Sequence, residues 1–147
     1  MSNASFATEQ IPDVLIYEMR EFQIEQTPLE NVISSTEFRN LHSDEDVFEM
    51  CSGSWRGYQA HWMLMRSKLY LNHIETKVCS TPQVIDTSKV LNKIGSTNEA
   101  TWYSGDLTVR ISEISQIENG IQFEALVFKI LNGKLASRQI KTIERKW

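Results

Sequence analysis

Apolar and polar residues alternate in several stretches of the chain, and each such stretch predicts a β-strand. Between Val14 and Ile24 apolar residues recur at every second position, and the apolar set changes over near Arg20. We therefore expect one strand over 14–24 that changes its buried face at Arg20.

The clearest alternation lies near the middle of the chain and predicts a β-hairpin. If Arg66-Ser67 forms a two-residue turn, Trp62 faces Leu71. In the same register Leu64 faces Leu69, so four large apolar side chains share one face. The turn lacks the glycine usual in such hairpins, and we expect it to be strained or bulged.

Two further patterns predict short helices. Thr27-Pro28-Leu29-Glu30 combines a capping residue, a proline suited to the first turn and a glutamate three residues after the cap. The helix should not extend past Ser34-Ser35-Thr36, and 37–49 is then an acidic loop or a second short helix. A crossover segment should contain a helix over Ser88 to Ile94 that is closed by Gly95.

The last third of the chain again alternates like strands. Segments 102–111 and 121–131 are predicted strands, and Asn132-Gly133 is a strong turn signal before a returning strand over 135–143. At least six strands and one to three short helices result. We predict a mainly β, β-rich α+β fold, an antiparallel meander curled into a roll, sandwich or partly open barrel.

The 147 residues suit one domain, with 41% hydrophobic and 23% charged residues. We expect a disordered N-terminus over 1–10 and a single β-rich domain over 11–147. The sequence has no apolar run of bilayer length, and its start lacks signal-peptide features, so we expect a cytoplasmic protein. Cys51 and Cys79 form no CxxC motif, and we interpret them as reduced, buried thiols.

Charge is distributed unevenly. Residues 1–50 contain eleven acidic and two basic residues, whereas 51–147 contain eight acidic and thirteen basic ones. The two parts either neutralise each other within the fold or leave a surface for a partner. Asp44, Glu45, Asp46 and Glu49 are the candidate partner-binding residues for a basic protein, and the net charge of −4 argues against nucleic acid.

No motif in the sequence specifies a reaction. Phosphate-binding glycine loops are absent, neither cysteine has a neighbouring base, and His42-Ser43-Asp44 is only a chance string. The predicted hairpin register places His61 opposite Asn72 and His73 on the other face, so we expect ordinary polar histidines. We accordingly predict no catalytic residue, metal or cofactor.

One segment, Ser54 to Tyr58, stands out. Trp55, Arg56 and Tyr58 are candidate ligand-binding residues, because a guanidinium between two aromatic rings can stack on or bind an anion. The structural alternative is that Trp55 and Tyr58 cap the core while Arg56 pairs with the acidic first third of the chain.

The pattern Trp55-Arg56-Gly57-Tyr58, Trp62 and Lys68-Leu69-Tyr70-Leu71 resembles that of a group of small uncharacterised bacterial proteins. This resemblance implies a bacterial or phage origin and supports the architecture, but it implies no activity. In that group a tight Asp-Gly or Asn-Gly turn is common where this chain has Arg66-Ser67.

Two functional hypotheses follow. The first is a non-catalytic protein-binding module, in its most concrete form an immunity-type protein that masks a basic toxin. The second is a β-barrel or roll that binds a small ligand, with or without enzymatic activity, in a pocket near Trp55, Arg56 and Tyr58. The sequence indicates no membrane contact and no particular oligomeric state.

Overall fold

The computed structural model describes residues 10–49 and 51–147, and these contain one mixed β-sheet with two α-helices. The segment predicted to be disordered lies outside the described residues except for Gln10, whose side chain bonds the Ser52 carbonyl and the Trp55 amide. The strands are β1 (Asp13–Tyr17), β2 (Arg20–Ile24), β3 (Gln59–Met65), β4 (Lys68–Thr76), β5 (Gln83–Ile85), β6 (Gly105–Arg110), β7 (Ser115–Ile117), β8 (Gly120–Leu131) and β9 (Lys134–Lys146).

The strands follow the order β2-β1-β3-β4-β9-β8-β6, with β5 beside β4 and β7 beside β8. Every described pair is antiparallel except β1 with β3, which is parallel. This open sheet confirms the predicted β-rich α+β class. The parallel pair is a departure from a pure meander, and it arises because a helical segment separates β1 and β2 from β3.

The predicted single strand over 14–24 is wrong. Glu18 and Met19 have φ of 50° and 64°, and they form a two-residue turn between β1 and β2. The apparent change of buried face at Arg20 is therefore the chain reversing its direction. The alternation hid this turn because neither residue is a usual turn former.

The predicted two-residue turn of the central hairpin is confirmed, and so is the predicted register of the pairs between this turn and Trp62. Trp62 pairs with Leu71, Leu64 pairs with Leu69, and both turn residues have positive φ, 53° at Arg66 and 61° at Ser67. Turns of this hand match the twist of the strands, but they cost energy in residues that carry a Cβ.

The helical segments are short. Pro28–Asn31 is a 3₁₀ helix at the predicted position. Helix α1 (Ser35–Leu41) is capped at its N-terminus by Ser34, whose side chain and that of Glu37 form a capping box. Helix α2 (Ser88–Ile94) ends at Gly95 with φ of 68°, as predicted. None of the helices in the described part of the chain is long and apolar enough to span a membrane.

The sheet is curled around one main core. β4 meets β9 only at Lys68 and Lys134, so the strands before and after this point form two halves that face each other. Trp62 is fully buried between the halves, as are Leu15, Leu107 and Phe128. The helical segments add Leu29 and Phe38 to this core, and the bend between them adds Ile33.

The prediction of reduced, buried cysteines is also wrong. Cys51 and Cys79 form a disulfide with a Cα–Cα distance of 6.4 Å, and Cys79 is exposed. The bond ties the loop before β3 to the loop after β4, two segments that only the fold brings together. Nothing in the spacing of 28 residues indicates this proximity.

Candidate functional site

The segment Trp55 to Tyr58 connects the loop after α1 to β3, and its three candidate side chains differ in exposure. Trp55 is 64% exposed, whereas Arg56 and Tyr58 are 7% and 1% exposed. Gly57 is required between them, since its φ is 84° and a Cβ there would lie 3.3 Å from the Phe48 ring. The structure thus brings Arg56 and Tyr58 together inside the protein and leaves Trp55 outside.

Arg56 is engaged within the domain. Its Nη1 donates to Asp13 Oδ1 at 2.7 Å, and its Nη2 donates to the Ile11 carbonyl at 2.9 Å. Its guanidinium also lies 4.8 Å from the centre of the Tyr58 ring and 3.6 Å from Glu30 Oε1. These contacts support the structural interpretation of Arg56, in which it pairs with the acidic first third of the chain.

Asp13 is the centre of this buried network. The carboxylate is fully buried and accepts hydrogen bonds from Trp62 Nε1 at 3.0 Å and from the Ala60 amide at 3.1 Å, besides Arg56. One side chain at the start of β1 therefore fixes the core tryptophan, the start of β3 and the loop before it. Sequence reasoning missed Asp13 because its partners lie more than 40 residues away.

Tyr58 remains a neutral phenol in this setting. Burial raises the pKa of its hydroxyl well above the ordinary value, and the charge of Arg56 opposes that rise only in part. A buried, protonated tyrosine beside an ion-paired arginine is suited to packing.

An open groove of about 820 Å³ lies on the exposed side of this network. Its walls include Ile11, Glu30 and Trp55 at one end and the outer edge of β2 along its length, with Val109 and Arg110 of β6 opposite. The candidate residues Trp55 and Arg56 therefore do lie at a concave surface. Tyr58 is packed behind this surface and is not among the described lining residues.

The groove follows an edge strand. Among the described residues β2 pairs with no strand other than β1. In the antiparallel register Tyr17 pairs with Arg20 across the two-residue turn, so the N–H and C=O groups of Glu21 and Gln23 point away from β1 and into the groove. Beyond them the Glu25 amide donates to Thr108 of β6 at 3.1 Å, which closes the groove at that end.

The acidic candidates lie elsewhere and are partly neutralised. Glu45 and Asp44 contact Lys89 at 2.7 and 3.7 Å. Glu49 accepts from the Cys79 amide and the Ser80 hydroxyl, and the Ser80 bond is the main cause of the lowered pKa of Glu49. Asp46 is more open, with a side chain that is 97% exposed and a contact of 3.6 Å to Lys77.

The histidines of the hairpin differ from the sequence prediction. A β-bulge between His61 and Trp62 shifts the register, so His61 pairs with His73 and not with Asn72. Their rings stack with centroids 4.1 Å apart, and the Nε2 atoms lie 2.9 and 2.8 Å from Glu75 Oε2. Burial, followed by the charge of His73, lowers the pKa of His61.

His42 of the His42-Ser43-Asp44 string is packed inside the domain. It is 1% exposed, its Nδ1 lies 2.9 Å from the Phe38 carbonyl, and its ring packs on the Phe38 ring.

Comparisons with protein-family models, with curated proteins and with solved structures found no match for this chain. The fold and the groove are therefore the only grounds for a functional assignment.

Proposed function

We propose that this domain is a non-catalytic protein-binding module that takes an extended, basic segment of its partner along the outer edge of β2. The observation that carries the proposal is the unpaired edge of β2 beside an open groove of about 820 Å³. Strand addition satisfies free backbone groups of an edge strand, and side chains in the groove then select the sequence.

The charges of the groove favour a basic segment. Glu21 and Glu30 line it, and the positive charge of Arg56 is already balanced by the buried Asp13. Arg110 on the opposite wall is the remaining cation among the described lining residues. Charge complementarity of this kind adds chiefly to specificity and association rate, and salt weakens it.

The exposed indole of Trp55 supplies an apolar contact at one end of the groove. Tryptophans that are largely exposed next to a concave surface are typical anchors for partner side chains. We therefore assign binding to Trp55, Glu21 and the backbone of β2, and we assign Arg56 and Tyr58 to the support behind them.

An immunity-type protein that masks a basic toxin remains the most concrete form of this function. Asp44, Glu45, Asp46 and Glu49 would then guide the approach of the partner from outside the groove. Their internal contacts with Lys89, Lys77 and Ser80 make them the weaker candidates. Cytoplasmic location stays a prediction, and the disulfide favours an oxidising compartment instead.

The proposal can be tested with a displayed library of ten-residue peptides. Selected binders should be rich in Lys and Arg, and Gln23→Pro should weaken them about tenfold, because it removes one outward N–H from the edge. Gln23→Ala is the matched control, since it keeps the N–H and should bind like the wild type. Hydrogen exchange at the Glu21 and Gln23 amides should slow in the complex.

The two Gln23 variants distinguish strand addition from other modes of peptide binding. Equal peptide affinity for Gln23→Pro, Gln23→Ala and wild type, with unchanged amide exchange, would contradict it. Glu21→Lys should also weaken binding at low salt, whereas Glu113→Lys, an exposed change outside the groove lining, should not.

A small-molecule site in the same groove is the alternative function. It predicts thermal stabilisation by a ligand that Trp55→Ala abolishes and Gln23→Pro leaves intact. Arg56→Ala is unsuitable for this test, because it leaves the buried Asp13 without its ion-pair partner and destabilises the fold.

A further inference from the structure

Three potential metal ligands converge on the outer part of the β3–β4 hairpin. His61 Nε2 and His73 Nε2 lie 2.9 and 2.8 Å from the same atom, Glu75 Oε2. The potential ligand atoms of all three residues lie within 4.8 Å of one another. Two imidazoles and one carboxylate form a donor set typical of divalent transition metals.

We propose that His61, His73 and Glu75 bind a divalent transition-metal ion. Zn²⁺ is the example used for the distances and the experiment below. Bonds from Zn²⁺ to imidazole nitrogen and carboxylate oxygen are about 2.0–2.2 Å long. Donors on one ion are therefore about 2.8–3.6 Å apart for angles between 90° and tetrahedral, as follows from those bond lengths. The two nitrogen–oxygen distances lie at the lower end of this range. The two rings are stacked at an interplanar angle of 18°, so both imidazoles must turn for their Nε2 lone pairs to converge on one ion.

The hairpin holds the three residues on a rigid support. His61 and His73 are paired across the two strands, and Glu75 follows His73 by two positions on the same face of β4. The β-bulge at His61 creates this arrangement, since the regular register would place His61 opposite Asn72. Bulges commonly redirect side chains at functional positions.

Metal binding also requires changes of proton and tautomer. His61 Nε2 lies 3.1 Å from Gln59 Oε1 as well as close to Glu75. With both rings as Nε2–H tautomers, the metal-free histidines donate to these oxygens, and the ion would replace the protons while the remaining ring proton occupies Nδ1. The Asn72 amide lies 2.8 Å from His73 Nδ1. With its oxygen turned toward the ring, it would accept the Nδ1–H and orient the ligand.

The site is accessible and is separate from the peptide groove. The side chains of His73 and Glu75 are 27% and 19% exposed, and none of the three residues is among those described as lining the groove. Three protein ligands leave at least one coordination position for water. The proposal therefore does not depend on the function proposed above.

Calorimetric titration of the full chain with ZnCl₂ tests the proposal directly. We expect one ion per chain, and His73→Gln or Glu75→Gln should weaken binding by at least about tenfold. Glu49→Gln is the matched control, because Glu49 lies beside the oxidised Cys51 and Cys79 and should not contribute. Circular dichroism establishes that each variant is folded.

Substitution with Co²⁺ gives a second readout. Its visible absorption should show nitrogen and oxygen ligation without thiolate charge-transfer bands, and both ligand variants should lose it. The proposal is overturned if Zn²⁺ shows no saturable binding, if His73→Gln and Glu75→Gln bind it like the wild type, or if Glu49→Gln is the variant that loses it.

Discussion

Asp13→Asn is the substitution whose effect follows most directly from the structure. The change keeps the size of the side chain and removes its charge. Asp13 accepts three hydrogen bonds, from Arg56, Trp62 and Ala60, and it is fully buried. An asparagine offers one oxygen and one NH₂ group, so at least one of these three donors loses its acceptor.

The main cost is the buried guanidinium of Arg56. Removing one member of a buried ion pair costs about 3–5 kcal/mol, because the other charge stays in a poorly hydrated site. Arg56 keeps the Ile11 carbonyl and the more distant Glu30, which favours the lower end. We expect Asp13→Asn to lower the free energy of unfolding by about 3 kcal/mol.

Urea unfolding measures this loss through a lower midpoint at unchanged slope. Glu30→Gln is the control, since Glu30 is 41% exposed and lies 3.6 Å from Arg56, and it should cost less than about 1 kcal/mol. The double variant Asp13→Asn with Arg56→Met should cost less than the sum of its single changes. A loss below about 1 kcal/mol for Asp13→Asn would refute the assignment of Asp13 as the centre of the network.

Three further predictions concern other parts of the fold. Replacing both Cys51 and Cys79 by Ser should lower the free energy of unfolding, measured in urea, by about 3.5 kcal/mol, because the disulfide closes a loop with a separation of 28 residues. Two free thiols in the native wild type would contradict this prediction. Ser67→Gly should raise the unfolding temperature. At a φ of 61° a residue with a Cβ is destabilised by about 1 kcal/mol, and glycine is not. A lower unfolding temperature would contradict this prediction. Burial, with a smaller effect of Asp106, raises the pKa of Tyr103 to about 12. The absorbance difference between wild type and Tyr103→Phe should therefore show the ionisation of Tyr103 near pH 12 and not near pH 10. Because the folded pKa is the higher one, the stability that Tyr103 contributes is complete below pH 10 and is lost as pH rises toward about 12.

The strands and turns with strong local signals could be predicted from the sequence. The Asn132-Gly133 turn, the returning strand β9 and the helix closed by Gly95 all lie where local residue preferences place them. The register of Trp62 with Leu71 also followed, because only that register buries four large side chains together. In each case the information lies within a few residues of the feature.

The remaining features depend on contacts between distant residues. The Asp13–Arg56 pair spans 43 residues, and the disulfide spans 28. The turn at Glu18 and Met19 was not predicted for a different reason. Pairing of β1 with β3 stabilises a chain reversal that the local sequence does not favour. The groove could not be predicted, since β2, β6 and the Trp55 loop come from three separate regions of the chain.

In the β3–β4 hairpin, one inserted residue divides the strand pairing into two parts that have different roles. From the turn to Trp62, every second pair buries large apolar side chains, and this burial is sufficient to specify the register. Beyond the bulge the pairing shifts, and it brings two stacked imidazoles to one carboxylate oxygen. Pairing two histidines where one of them is buried does not improve packing, because it places groups of the same charge type side by side. A bulge at this position is easier to understand if the pair acts together on a ligand, and the Zn²⁺ titration decides whether that ligand is a metal.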